Sequence, residues 1–127
     1  MTRLFLIVLL SSGPAHAEWV SFAESDSGAT VYVDRDTIRR KGDVVKWWEL
    51  MDHKTVQTGA GESFLSVMAQ NEYDCAEERH RSLAVTYFSG NMGSGNVVYS
   101  DSDEQSWEPV QPQSVGQTMW ELACAKQ

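Results

Sequence analysis

The chain has 127 residues, with 18 acidic against 10 basic side chains, a net charge of −8 and only two cysteines. An acid excess of this size argues against nucleic acid and anionic lipid as partners, because both would be repelled. The length suits one domain with one modest core.

The first 17 residues read as an export signal. Arg3 supplies a positive start, Leu4 to Leu10 is an unbroken apolar run, and Ser11 to Pro14 break it before Ala15-His16-Ala17, an A-x-A cleavage site. The expected organisation is therefore a signal peptide over 1–17 and one domain over 18–127, exported to the periplasm, the medium or the cell surface. The apolar run is too short to cross a bilayer. No cysteine lies near the cut, so no lipoprotein anchor is expected, and nothing later resembles a transmembrane segment. Loss of Arg3 leaves 9 basic and 18 acidic side chains, a mature net charge of 9 − 18 = −9.

Glu18 to Ala23 alternates loosely and reads as a strand, followed by a polar turn over Ser25 to Gly28. Thr30 to Asp34 is rich in β-branched residues and reads as a short strand. Asp34 then caps an expected single helical turn, Asp36 to Arg40, ended by Gly42. Arg35, Arg39, Arg40 and Lys41 fall here, 4 of the 9 basic residues of the mature chain. Two readings stand: an anion-docking patch on an acidic protein, or a solvated turn balanced by Asp34, Asp36 and Asp43.

Asp43 to His53 is a long strand by pattern, with Val45, Trp47 and Met51 on one face and Val44, Trp48 and Leu50 on the other. Trp47 and Trp48 thus point to opposite faces, and one must lie away from any covering helix. Tryptophan is enriched at interfaces. The candidate binding surface is Arg35, Arg39, Arg40, Lys41, Trp47 and Trp48.

After a turn at Gln57 to Gly61, Glu62 to Cys75 is the next strand, and Leu65, Val67, Ala69, Tyr73 and Cys75 share a face by period two. Arg79 to Ser89 and Val97 to Ser100 are strands joined through Gly90 to Asn96. The G-x-x-G-x-G spacing there precedes a strand, so no helix N-terminus is present to hold phosphate. Asp101 to Gln105 is an acidic loop without the twelve-residue calcium pattern. Trp107 to Ser114 leads, stiffened by Pro109 and Pro112, into a helix over 113–127. Ser114 is its expected N-cap, and Gln117 is placed to reach back as in a capping box. Val115, Met119, Leu122 and Ala123 form an apolar stripe bordered by Trp120 and Cys124.

The sum is α+β: one antiparallel meander of five or six strands with a C-terminal helix packed on one face. Two cysteines in an exported chain most simply form one disulfide. Strand parity and the helix stripe bring Cys75 and Cys124 to the same interface, which would staple the helix to the sheet. There is no C-x-x-C, and His53 and His80 have no ligand-like spacing, so no metal and no cofactor are expected. No G-x-S-x-G elbow is present, and no carboxylate pair stands in apolar surroundings, so no enzyme is expected.

Several segments in order resemble the surface-adhesin protein E-like family. They are W-V-x-F at the mature start, V-Y-V-D-x-D-T-I-R-R-x-G, W-x-L-x-D at Trp48 to Asp52, Asp74-Cys75, Met92-Gly-Ser-Gly95, Val97-Val98, and Trp107-x-P-V-x-P-x-S followed by Cys124. The resemblance implies a curved antiparallel sheet with its C-terminal helix tied to the concave side by a disulfide. It also implies a non-catalytic exported protein of Gram-negative bacteria that binds proteins, including host extracellular-matrix proteins. The other class of role is a periplasmic inhibitor or small-ligand-binding protein that uses the concavity. A host-matrix or periplasmic protein is the expected partner, and a homodimer is left open.

Overall fold

The computed structural model describes residues 18–125. The signal peptide expected over 1–17 lies outside the described residues. Six strands follow one another across one antiparallel sheet: β1 (Trp19–Glu24), β2 (Thr30–Lys41), β3 (Val44–Gly59), β4 (Glu62–Asp74), β5 (Arg79–Phe88) and β6 (Val97–Asp101). A two-residue β7 (Glu108–Pro109) pairs with the start of β5, and a helix, α1 (Val115–Cys124), closes the described chain. The sheet is open and curved, as the family resemblance implied.

The β2 segment departs from expectation. Instead of a strand ending at Asp34 and a helical turn, β2 runs on to Lys41 through a bulge, in which Asp34 pairs with Trp48 and Arg39 with Lys46. Side chains replace the ladder bonds across it. Thr37 Oγ1 donates to the Asp34 carbonyl at 2.6 Å and accepts the Trp48 N–H at 3.0 Å, while Asp34 Oδ1 accepts the Asp36 N–H. A partner strand that still offers its N–H groups makes a bulged strand better satisfied than an isolated turn of helix.

β3 is also longer than expected. It passes through a second bulge between Asp52 and Gln57, then turns into β4 at Ala60 and Gly61, both with positive φ (53° and 76°). A two-residue hairpin turn with this backbone matches the twist of the flanking strands.

The core lies between one sheet face and α1. Val31, Val33, Val45, Trp47 and Tyr73 from the sheet pack with Met119 and Ala123 of the helix, all at most 3 % exposed. Val115, Leu122, Trp120 and Cys124 flank this cluster, as the stripe requires. Ser114 Oγ accepts the Gln117 N–H at 3.1 Å, the expected N-cap. Gln117 Oε1 reaches back one residue further than a capping box would, to the Gln113 N–H. Trp120 Nε1 donates to the Asp74 carbonyl, and Cys75 and Cys124 are bonded with Cα atoms 5.5 Å apart.

The opposite face carries a smaller cover. Leu50 is fully buried there. The 90–96 connection includes a 3-10 turn, Asn91–Gly93, and folds back over β3 and β4. Buried Ser66 donates to the Gly90 carbonyl at 2.7 Å and accepts the Gly93 N–H at 2.9 Å. Asp52 Oδ1 accepts from Asn91 Nδ2 and from the Met92 N–H. Gly95 has φ 80°, and a Cβ there would collide with Ser89 Oγ, so glycine is required.

Candidate functional site

The hairpin of β2 and β3 turns at Gly42 and Asp43, and its end gathers cations. Lys46 stands opposite Arg39 on β2 and opposite Glu72 on β4. With Arg40, Lys41 and Val44 these residues line an open recess of about 490 Å³. Lys46 arrives by strand pairing alone; sequence reasoning assigned it no role, because its partner across the hairpin depends on how the 35–38 bulge is taken up.

Among the described residues none of Arg35, Arg39, Arg40, Lys41 and Lys46 is in a salt bridge. Asp34 turns inward to its own loop instead of balancing them. Arg39 Nη1 donates to the Asp36 and Ile38 carbonyls. Arg40 Nη2 donates to the Ala123 carbonyl at 3.3 Å, where a cation meets the negative end of the helix dipole. Arg35 is exposed on the bulge and does not line the recess.

The tryptophans of the candidate surface part ways. Trp48 is half-buried and shares the recess side of β3 with Val44 and Lys46 by alternation. Trp47 is 3 % exposed beneath α1, its ring 5.4 Å from Tyr73. It therefore leaves the candidate surface; the helix needs a large apolar floor, and Trp47 supplies it. No tryptophan among the described residues is exposed. Trp107 lies under the guanidinium groups of Arg79 and Arg81, at 4.7 and 4.3 Å from its ring centroid.

A second hollow, of about 380 Å³, sits on the same sheet face as α1 and beyond its reach. Glu49, Met51 and His53 of β3 meet Val67 of β4 and Tyr87 of β5 there, because Met51 pairs with Val67 and Val67 with Tyr87. Trp47 Nε1 donates to Glu49 Oε1 at 2.8 Å, and the Tyr73 hydroxyl donates to the same oxygen. Burial and then the Glu49 charge push the Tyr73 phenol well above its ordinary value. His53 Nδ1 is buried without a hydrogen-bond partner among the described residues, and burial pulls the imidazole below its ordinary value against the opposing pull of Asp52.

Among the described residues no group of three or more His, Cys, Asp or Glu is placed to hold a metal ion, and no helix is long and apolar enough to cross a membrane. His53 and His80 lie on different strands, β3 and β5.

Residues 19–125 match the family model of surface-adhesin protein E. The chain belongs to that family. Solved structures of Haemophilus influenzae protein E share this family's fold. Crystal form II superposes with a TM-score of 0.65 at 11 % identity, covering 94 % of this chain and 96 % of that one. Another protein E structure gives 0.62 at 10 % identity, over 91 % and 90 %. Protein E from non-typeable H. influenzae gives 0.61 at 10 % identity, over 93 % and 82 %. No curated protein matches the chain by sequence. Identity this low carries the fold and no individual binding residue, so the family's surfaces have to be read from this chain's own side chains.

Proposed function

We propose that this chain is an exported, non-catalytic protein-binding module with an adhesin's role. In this reading it engages an acidic face of a host extracellular-matrix protein, or of a periplasmic protein, through the β2–β3 hairpin end. The observation that carries the reading is the cluster of Arg39, Arg40, Lys41 and Lys46, without ion pairs among the described residues, on a chain of net charge −8. A local excess of one sign on a surface of the other steers a complementary partner to that spot and sets its orientation. Membership of the surface-adhesin protein E family supports a protein partner and a non-enzymatic role.

The test is association of the mature chain with a panel of immobilised extracellular-matrix proteins. A triple variant, Arg39→Ala with Lys41→Ala and Lys46→Ala, should slow association with the bound partner by about tenfold at low salt, and the gap should close as salt is raised. Arg40 is left in place because it also contacts the end of α1. Neutralising Asp101 to Glu104 should not slow association; if that change alone abolished binding, the site would lie at the β6 end. The second reading, a periplasmic inhibitor or small-ligand-binding protein, draws on the hollow beside α1.

A further inference from the structure

The hollow beside α1 combines three aromatic rings with one carboxylate. Phe64 and Tyr87 have ring centroids 4.5 Å apart at 44°, and His53 meets Phe64 at 5.8 Å and 76°. The rings are thus inclined to one another as walls, with Met51 and Val67 among the apolar lining. Glu49 supplies the charge. Both of its donors, Trp47 Nε1 and the Tyr73 hydroxyl, bind Oε1, and Oε2 has no donor among the described residues. Those donors belong to buried core side chains, so the carboxylate is held in place before any ligand arrives.

Among the described residues no lysine or arginine lines the hollow. Burial lowers the imidazole pKa of His53, which favours its neutral form over a cation that would cancel Glu49. An apolar recess with π faces and a single fixed negative charge disfavours anions, which would be repelled. It gives neutral apolar groups no return for the desolvated carboxylate. It suits a cation sheathed in carbon, whose charge meets the ring faces and the carboxylate together while its methyl or methylene groups fill the recess.

We propose that this hollow is a binding site for an alkylammonium group, either a trimethylammonium or the end of a lysine side chain. It lies on the sheet face opposite Val44, Lys46 and Trp48 and does not depend on the hairpin end for its chemistry.

The probes are choline, N-acetyl-lysine amide and 3,3-dimethylbutanol, the last a neutral isostere of choline. They are titrated into the mature chain and followed by NMR shifts of Val67, Phe64 and Tyr87. A cationic probe should give saturable shifts at these residues, and the neutral isostere should bind about tenfold more weakly or not at all. Choline above lysine would assign the site to a quaternary amine; the reverse order would assign it to a basic side chain. Glu49→Gln should remove about a tenfold preference for the cation over the isostere. Because Glu49 also contacts the core, Tyr87→Leu serves as the second variant, removing a ring while leaving the carboxylate and its donors. It should weaken the cation more than the isostere. The Arg39, Lys41 and Lys46 triple variant should bind choline as the parent does, whatever becomes of its adhesion. Equal binding of choline and isostere would overturn the proposal, as would the absence of saturable shifts. A concentration-dependent dimer that buries Val67 and Tyr87 would also overturn it, by assigning the hollow to a second copy.

Discussion

Ser66 is a small polar residue with no exposed surface, and it serves two backbone groups of the 90–96 loop at once. Ser66→Ala would leave the Gly90 carbonyl and the Gly93 N–H without that partner while removing little volume. The expected cost is about 1–3 kcal/mol in chemical denaturation, with faster amide exchange at Gly93 before any change at the core strands. Two titrating residues contribute to the acid limb of stability. Burial alone would raise the Asp74 carboxyl, but Arg79 Nε at 2.9 Å and the Ala76 and Glu77 N–H groups outweigh it and hold it below its ordinary value. That contribution is present above the unfolded carboxylate value and is lost as pH falls through the lower folded one. His53 is also lowered, so from about pH 6.5 downward the unfolded chain takes up its proton more readily than the folded one. Both effects have the same sign. Stability should decline on acidification from about pH 6.5 and fall more steeply in the carboxylate range. His53→Gln should flatten the first part of the decline; an unchanged profile would clear His53 of any part in it.

At the scale of elements, α1 has ten residues, short for an isolated helix in water. Its stability must come from the Met119 and Ala123 contacts, the Ser114 cap and the tie to the sheet. The disulfide closes a separation of 49 residues, for which the chain-entropy estimate is about 4 kcal/mol. Cys124→Ser should lower stability by about 2–5 kcal/mol, with amides of α1 losing exchange protection before those of β3 and β4. A variant as stable as the parent under oxidising conditions would show that packing alone holds the helix. Ser114→Ala should cost less, about 0.5–2 kcal/mol by thermal denaturation, because one capping bond is removed and the apolar face is untouched.

At the scale of the whole molecule, a meander joined by short turns leaves one face half-covered. Ten helical residues cannot shield six strands, so the helix covers Val31 to Trp47 and leaves Met51, Val67 and Tyr87 partly open. The hollow is a consequence of that mismatch in size. The charge distribution is likewise a property of the assembled sheet, with the cations gathered at the β2–β3 turn and a net charge of −8 on the whole chain. The export proposal also belongs to this scale: protein recovered from the periplasm or the medium should have an intact mass that starts at Glu18. Recovery of a chain that retains Met1 would refute the cleavage.

Much of the architecture was legible in the residues because its signals are local. Period-two alternation placed Val45 and Trp47 on one face and Leu50 on the other, helical spacing set Met119 and Ala123 on one stripe, and parity put Cys75 at the interface that Cys124 borders. The sheet pairing decided what alternation does not encode. At the bulge between Asp34 and Arg39, Thr37 accepts the Trp48 N–H from across the strand, and a single segment cannot announce its partner's donors. The same holds for the sites. Arg39, Arg40 and Lys41 were visible as a run, but Lys46 joined them only through register. Trp47 read as a surface anchor until the helix lay over it. Glu49, Phe64 and Tyr87 come from three strands and meet only when the sheet is formed, because proximity across strands depends on pairing and curvature and not on any spacing along the chain.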